Sequence, residues 1–98
     1  MNKIFKYPIP VLEKFSLNLA KDARILRVDT VEGQFWLWVI VNPDVPTEKR
    51  YFECYKTGMP IETDINELKY IGFYTLYIMQ ELCLYMFERV LQENISVV

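Results

Sequence analysis

The stretch FWLWVIVNPD, residues 35–44, decides the fold, because both tryptophans of the chain lie in it. Side chains alternate between the two faces of an extended strand. Here both rows are apolar: one is Phe35, Leu37, Val39 and Val41, and the other is Trp36, Trp38 and Ile40. We therefore expect a central strand that is covered on both sides. The prolines at positions 43 and 46 predict a turn over residues 42–46.

The segment before this strand predicts its antiparallel neighbour. Residues 24–31 alternate, with Leu26, Val28 and Thr30 opposite Ile25, Arg27 and Asp29. Glu32-Gly33 separates the two runs, and glycine in second place suits a primed hairpin turn. The pattern predicts a β-hairpin over residues 24–42.

Three further segments also follow a period of two. Residues 3–12 predict an edge strand, since Pro8 and Pro10 cannot donate to a ladder. Residues 13–23 place Phe15, Leu17 and Leu19 on one face. Residues 48–56 alternate and lead into a turn at 57–60. The polar residues 62–69 predict a loop or one helical turn.

The last third of the chain supports two interpretations, because it is apolar at nearly every position from 70 to 87. One is a strand pair, 70–76 and 82–87, with a turn near 79–81. The other is a helix over about 74–92, since Leu, Met, Gln and Glu are good helix formers. We predict one domain over residues 1–98, a small all-β sandwich or open barrel of six or seven mostly antiparallel strands. The alternative is an α+β domain with a C-terminal helix.

The composition limits the possible partners. The chain has 98 residues, is 52% hydrophobic and 15% aromatic, and carries a net charge of −2. Nucleic-acid binders usually carry a basic patch, so the charge makes nucleic acid an improbable partner. The start of the chain does not fit a signal peptide, and no apolar run reaches the roughly 20 residues of a membrane helix. We expect a soluble protein of the host cytoplasm, with no membrane partner.

The residue types present also limit the chemistry. The chain has no histidine, the commonest general base and metal ligand. Cys54 and Cys83 are far apart and predict two buried free thiols, with a disulfide as the alternative, and they are two thiols short of a closed zinc site. Its three glycines are too far apart in the sequence to form a phosphate-binding loop. The carboxylates of residues 62–67 fit a solvated loop rather than a catalytic or ion-binding pair. We predict a protein that is not an enzyme, with no catalytic residues, metal or cofactor.

Five blocks, in this order, resemble a family of small uncharacterised proteins encoded by phages and prophages. They are IFKYPIP (4–10), ARILRV (23–28), LWVIVNPDVPTEKRYFECYKTGMPI (37–61), YIG (70–72) and LCLYMFER (82–89). The resemblance implies a small all-β domain of unknown function and a phage context. The resemblance also implies glycines in the turn before the last strand, whereas YIMQE (77–81) has none.

Because the sequence argues against an enzyme, a metal site and a nucleic-acid partner, protein binding is the function that remains. We expect a non-enzymatic, phage-encoded binding protein that modulates or inhibits a host factor by steric masking, for example as an anti-CRISPR-like inhibitor in counter-defence. The candidate partner-binding residues are aromatic or cationic: Trp36, Trp38, Lys49, Arg50, Tyr51 and Tyr55. One alternative is a nucleotide or single-strand binder that stacks bases on Tyr51 and Tyr55 beside the cations. Another is a phage structural or assembly component, and a homodimer is the simplest self-association.

Overall fold

The computed structural model describes residues 1–90, which form seven strands and one turn of 3-10 helix at Ile65–Glu67. The strands are β1 (Lys3–Pro8), β2 (Lys14–Ala20), β3 (Arg24–Val31), β4 (Gln34–Val41), β5 (Thr47–Lys56), β6 (Leu68–Ile78) and β7 (Gln80–Arg89). The all-β prediction is confirmed. The alternative, a helix over about 74–92, is wrong for residues 74–90, which lie almost wholly in β6 and β7. Residues 91 and 92 lie outside the described residues.

The strands form two sheets, and every pairing is antiparallel. The three-stranded sheet has the order β1-β4-β3, and the four-stranded sheet has the order β2-β5-β7-β6. Neither sheet closes on itself, so the protein is a small β-sandwich rather than a barrel. β7 lies between β5 and β6 and is antiparallel to both, so β5 and β6 run parallel to each other. Residues 57–67 must therefore return along the length of the sheet.

β4 is the central strand of its sheet, as predicted, with β1 and β3 on either side. One row of its side chains is fully buried between the sheets: Phe35, Leu37, Val39 and Val41. Within residues 1–90 of a single chain the other row is only partly covered, because Trp36 and Trp38 are half-buried on the outer face. The ammonium of Lys6 lies 4.2 Å from the Trp36 ring, and the guanidinium of Arg27 lies 4.3 Å from the Trp38 ring.

The core lies between the two sheets. The four-stranded sheet contributes buried residues from each of its strands, among them Leu19, Phe52, Cys54, Tyr74 and Met86. The rings of Phe35 and Tyr74 join the sheets, with centroids 4.5 Å apart. Burying a side chain of this size stabilises the fold by about 1.5–3 kcal/mol. A chain this short has room for few such side chains in its core.

Two local predictions about the first half of the chain are confirmed. Glu32 and Gly33 have φ angles of 52° and 76°, the left-handed pair that a primed two-residue hairpin turn requires. β1 is an edge strand, and the Ile9 N–H donates to the Phe35 carbonyl over 2.9 Å. Hydrogen-bonded positions alternate in an antiparallel pair, so Pro8 lies on the free side, where no donor is needed.

β3 and β6 bring the two sheets together along one side of the sandwich. The Thr30 hydroxyl on β3 donates to the Thr75 carbonyl on β6 over 2.7 Å. At position 72 a β-carbon would lie 3.2 Å from Cγ1 of Val28, so glycine allows this close approach. A β-bulge at Ile71 accompanies it, and a second bulge at Leu26 interrupts the predicted alternation of β3.

Met79 lies in the turn between β6 and β7 with a φ angle of 63°, and it is 96% exposed. A non-glycine residue is strained in this left-handed region. This is the turn in which the resemblance places glycine.

We expect Met79→Gly to raise the free energy of unfolding by about 0.5–1 kcal/mol, because glycine adopts this φ without strain. Denaturant unfolding measures the change. Glu81→Gly is the control: Glu81 lies in the extended strand β7, so glycine there lowers stability. A loss of stability in both variants would contradict the strained turn.

Candidate functional site

The segment 57–67 covers the outer side of β5. The Thr63 hydroxyl donates to Oε1 of Glu53 over 2.8 Å, and the Tyr55 hydroxyl donates to the same oxygen. Glu53 is therefore 3% exposed and Tyr55 5% exposed. Burial alone would raise the pKa of Glu53, but the two hydroxyl donors and the charges of Lys14 and Arg89 hold it below its ordinary value.

Arg50 has its contacts inside the protein. Its Nε and Nη2 lie 2.5 and 2.7 Å from the two carboxylate oxygens of Glu88 on β7. Its Nη1 donates to the Ala23 carbonyl over 2.6 Å. The two charged side chains are only 17% and 11% exposed. Hydrogen bonding to Glu88 raises the pKa of Arg50 above its ordinary value. The contacts of Arg50 connect β5, β7 and the β2–β3 connection at one end of the sandwich.

The other predicted residues lie on two different surfaces. Trp36 and Trp38 face outward from the three-stranded sheet. Lys49 and Tyr51 are exposed on the outer face of the four-stranded sheet. Tyr51 borders a shallow groove of about 560 Å³ whose lining includes Lys14 and Arg89. The six residues therefore do not form one surface.

A different group of rings lies together on the outer face of β6 and β7. We call this group the aromatic face, and it consists of Tyr70, Phe73, Tyr77, Tyr85 and Phe87. Four of its members are well exposed, at 53% for Tyr70, 56% for Phe73, 77% for Tyr77 and 38% for Tyr85. The alternation that buries Tyr74 and Met86 between the sheets directs these rings outward.

The bulge at Ile71 completes this arrangement. Without it, Tyr70 and Phe73 would lie on opposite faces of β6, because they are three residues apart. With the extra residue, Tyr70 lies opposite Phe87 and Phe73 lies opposite Tyr85. The ring centroids of these pairs are 5.5 and 6.2 Å apart. Such cross-strand pairs stabilise a sheet, yet here they leave ring surface in contact with solvent.

The middle of the aromatic face carries no charge. Between its rings lie Thr75 and Cys83, and charged side chains occur only at the ends of the β7 row, Glu81 and Arg89. At 150–250 Å² per aromatic side chain, the exposed rings present roughly 450 Å². The largest apolar patches of monomers reach about 300–600 Å² and are often functional. An apolar centre with a charged rim is the composition of a protein interface.

Sequence reasoning missed the aromatic face, because it treated residues 70–87 only as a choice between strands and helix. One signal was present in β7: aliphatic Leu82, Leu84 and Met86 alternate with Tyr85 and Phe87. Aliphatic side chains pack into the core of a sandwich, whereas Tyr is tolerated at a wet surface. That signal favours the ring row as the outer one.

Three other features would indicate a different function within residues 1–90: reactive thiols, a metal site and a membrane-spanning helix. Cys54 and Cys83 are both free thiols, as predicted, but only Cys54 is buried, and Cys83 is half-buried. Sγ of Cys54 lies 3.2 Å from the Tyr74 hydroxyl. No three His, Cys, Asp or Glu side chains of this described part are grouped to hold a metal ion. The same ninety residues include no helix with the length and apolar character needed to span a bilayer.

Comparison with known proteins gives a family but no activity. The family model described as Domain of unknown function (DUF7352) matches residues 1–96, so the chain belongs to that family. No curated protein and no solved structure matches the chain.

We expect Arg50→Met to lower the free energy of unfolding by about 2–4 kcal/mol, since it removes the cation that is bonded to the mostly buried Glu88 carboxylate. Chemical denaturation of the variant measures the loss. Lys49→Met is the matched control, because Lys49 is the neighbouring cation and is exposed. Equal stability of the two variants would contradict the structural role of Arg50.

The Glu53 site predicts a dependence on pH. The pKa of Glu53 is lower in the folded protein than its ordinary value of 4.5. Its contribution to stability is therefore present above that value and is lost as the pH falls through the folded pKa. Glu53→Gln removes this carboxylate, so we expect the variant to lose less stability than the unmodified protein when the pH falls below about 4.5. Urea unfolding at a series of pH values tests this, and an unchanged slope in the variant would refute it.

Proposed function

We propose that this member of the DUF7352 family is a non-enzymatic, phage-encoded binding protein that inhibits a host factor by covering one of its surfaces. The aromatic face is the surface that makes the contact. The host factor belongs to a defence system, such as a CRISPR effector. The observation that carries the proposal is the group of four exposed rings on the aromatic face, whose middle carries no charge.

The chemistry of the aromatic face supports a protein partner. Tyr and Phe are enriched at protein interfaces, and a few such anchors supply most of the affinity. The rings lie on paired strands, so their positions are fixed before binding and little conformational entropy is lost. A stable interface buries about 800 Å² on each partner, so the rings would form its centre and the charged rim would supply the remainder.

The mechanism needs no reacting group on this chain. A small domain that covers a functional surface of a larger protein inhibits it through affinity alone. The phage context of the proposal comes from the resemblance of the five sequence blocks, and the choice of surface comes from the fold.

A second function, nucleotide or single-strand binding, is favoured by one observation. Tyr51 is 48% exposed and borders the groove whose lining includes Lys14 and Arg89. A ring beside cations can stack on a base and contact a phosphate. Tyr55, the second ring predicted for this platform, is buried beneath residues 57–67. The platform is thus reduced to one ring, which makes this the weaker proposal.

The test compares two single substitutions on opposite sheets. Phe73→Lys places a charge in the middle of the aromatic face, and Ile4→Lys places one on the outer face of β1. The two positions match, because both lie on edge strands and are 56% and 62% exposed. Pull-down from host lysate identifies a stoichiometric partner, and titration with that partner gives the affinities.

We expect Phe73→Lys to weaken binding at least 30-fold, about 2 kcal/mol, while Ile4→Lys leaves it unchanged. The partner's activity should fall in proportion to the complex formed. Equal binding by both variants would overturn the assigned surface. Oligonucleotide binding that weakens steeply with salt would instead support the second function, and large assemblies in light scattering would instead support a phage structural component.

A further inference from the structure

The two sheets have four edge strands, and three of them are protected against pairing with another chain. On β1 the free side carries Pro8, which has no N–H to offer. β3 and β6 meet each other along one side of the sandwich, where Thr30 bonds to Thr75. The remaining edge, β2, has neither a proline nor a covering strand within residues 1–90.

The hydrogen bonds at the two ends of β2 show which of its backbone groups are free. The Cys54 N–H donates to the Glu13 carbonyl over 2.8 Å, and the Lys21 N–H donates to the Pro46 carbonyl over 2.9 Å. Both contacts follow the β2–β5 register. Since bonded positions alternate, the odd-numbered residues of β2 pair with β5. The N–H and C=O groups of Lys14, Ser16 and Asn18 therefore point to the open edge.

The side chains of β2 are compatible with an added strand. Its outer row is Lys14, Ser16 and Asn18, in which only the lysine is charged. On the inner row, Phe15 and Leu17 remain half-buried, because the four-stranded sheet is one strand wider than the sheet that covers it. A neighbouring strand would need apolar residues on this inner row and uncharged or acidic residues opposite the lysine.

We propose that the strand that pairs here is β2 of a second copy, antiparallel about a twofold axis, with Ser16 opposite Ser16. Lys14 then lies opposite Asn18, so no like charges face each other. Phe15 lies opposite Leu17 on the inner row, so that apolar surface meets apolar surface. The residue pairs 14–18, 16–16 and 18–14 each exchange two backbone hydrogen bonds.

This register pairs the free N–H and C=O groups of Lys14, Ser16 and Asn18. If the pairing were centred on Leu17, the Ala20 carbonyl would have to accept a hydrogen bond from the second copy. That carbonyl already accepts from the Ala23 N–H over 3.0 Å. The opposite shift would pair Asn18 with Leu12, which precedes the strand. The inference is independent of the proposed function. If it holds, one continuous eight-stranded sheet presents two aromatic faces on the same side, so the dimer can bind a repeated or symmetric partner bivalently.

Cysteine cross-linking tests the register, in a Cys83→Ser background that removes the half-buried thiol. Facing residues of a hydrogen-bonded pair have α-carbons about 5.5 Å apart, within disulfide range. We expect Ser16→Cys to form a covalent dimer under mild oxidation. Asn18→Cys is the matched control, since its two copies lie roughly 13 Å apart at 3.3 Å per residue, and it should cross-link at least tenfold less.

Sedimentation of the unmodified chain tests the dimer itself. We expect a concentration-dependent dimer that Ser16→Pro weakens at least tenfold, because proline removes a free-edge N–H. Ser16→Ala should retain it, and circular dichroism should show a folded Ser16→Pro protein. A monomer at every concentration, equal cross-linking at positions 16 and 18, or a dimer unaffected by Ser16→Pro would each overturn the proposal. Should the proline variant not fold, the cross-linking pair decides alone.

Discussion

The structure depends on the packing of one row of β4 against the four-stranded sheet. Phe35, Leu37, Val39 and Val41 are fully buried, and the Phe35 ring contacts Tyr74 on the opposite sheet. β1 and β3 both pair with β4, so the position of that one strand also orients the whole three-stranded sheet. A chain of this size buries a smaller share of its surface than a larger domain does, so its core holds few large side chains. Because this row supplies much of the core, the remaining rings are available to line the outer faces.

Two features of β5–β7 decide where those rings are exposed. The return segment 57–67 lies over β5 and shields Tyr55, through the hydroxyl bonds that converge on Glu53. It leaves β6 and much of β7 uncovered, and the bulge at Ile71 brings Tyr70 into line with Phe73. The aromatic face is thus a consequence of topology as well as of composition. It lies on the sheet opposite the two tryptophans, whose outer surfaces Lys6 and Arg27 partly cover.

Strands and turns were predictable from local sequence, because a period of two and the turn residues are local signals. The pairs Glu32-Gly33 and Pro8-Pro10 identified the hairpin and the edge strand in this way. The exposed faces of β4 and β6 were not predictable, because both rows of these strands are apolar and periodicity cannot show which row is covered. A bulge adds one residue to a strand and so exchanges the covered and exposed rows beyond it, as Ile71 does in β6. The partnership of Arg50 with Glu88 spans 38 positions, and no local pattern reports it.

The central claim is that the aromatic face, rather than the tryptophan side, contacts the partner. Hydroxyl-radical footprinting of the protein alone and in its complex reads the exposure of each ring directly. The account predicts strongly reduced oxidation of Tyr70, Phe73 and Tyr77 in the complex, with Trp36 and Trp38 unchanged. Protection of the tryptophans, with the rings of β6 as reactive as in the free protein, would contradict it.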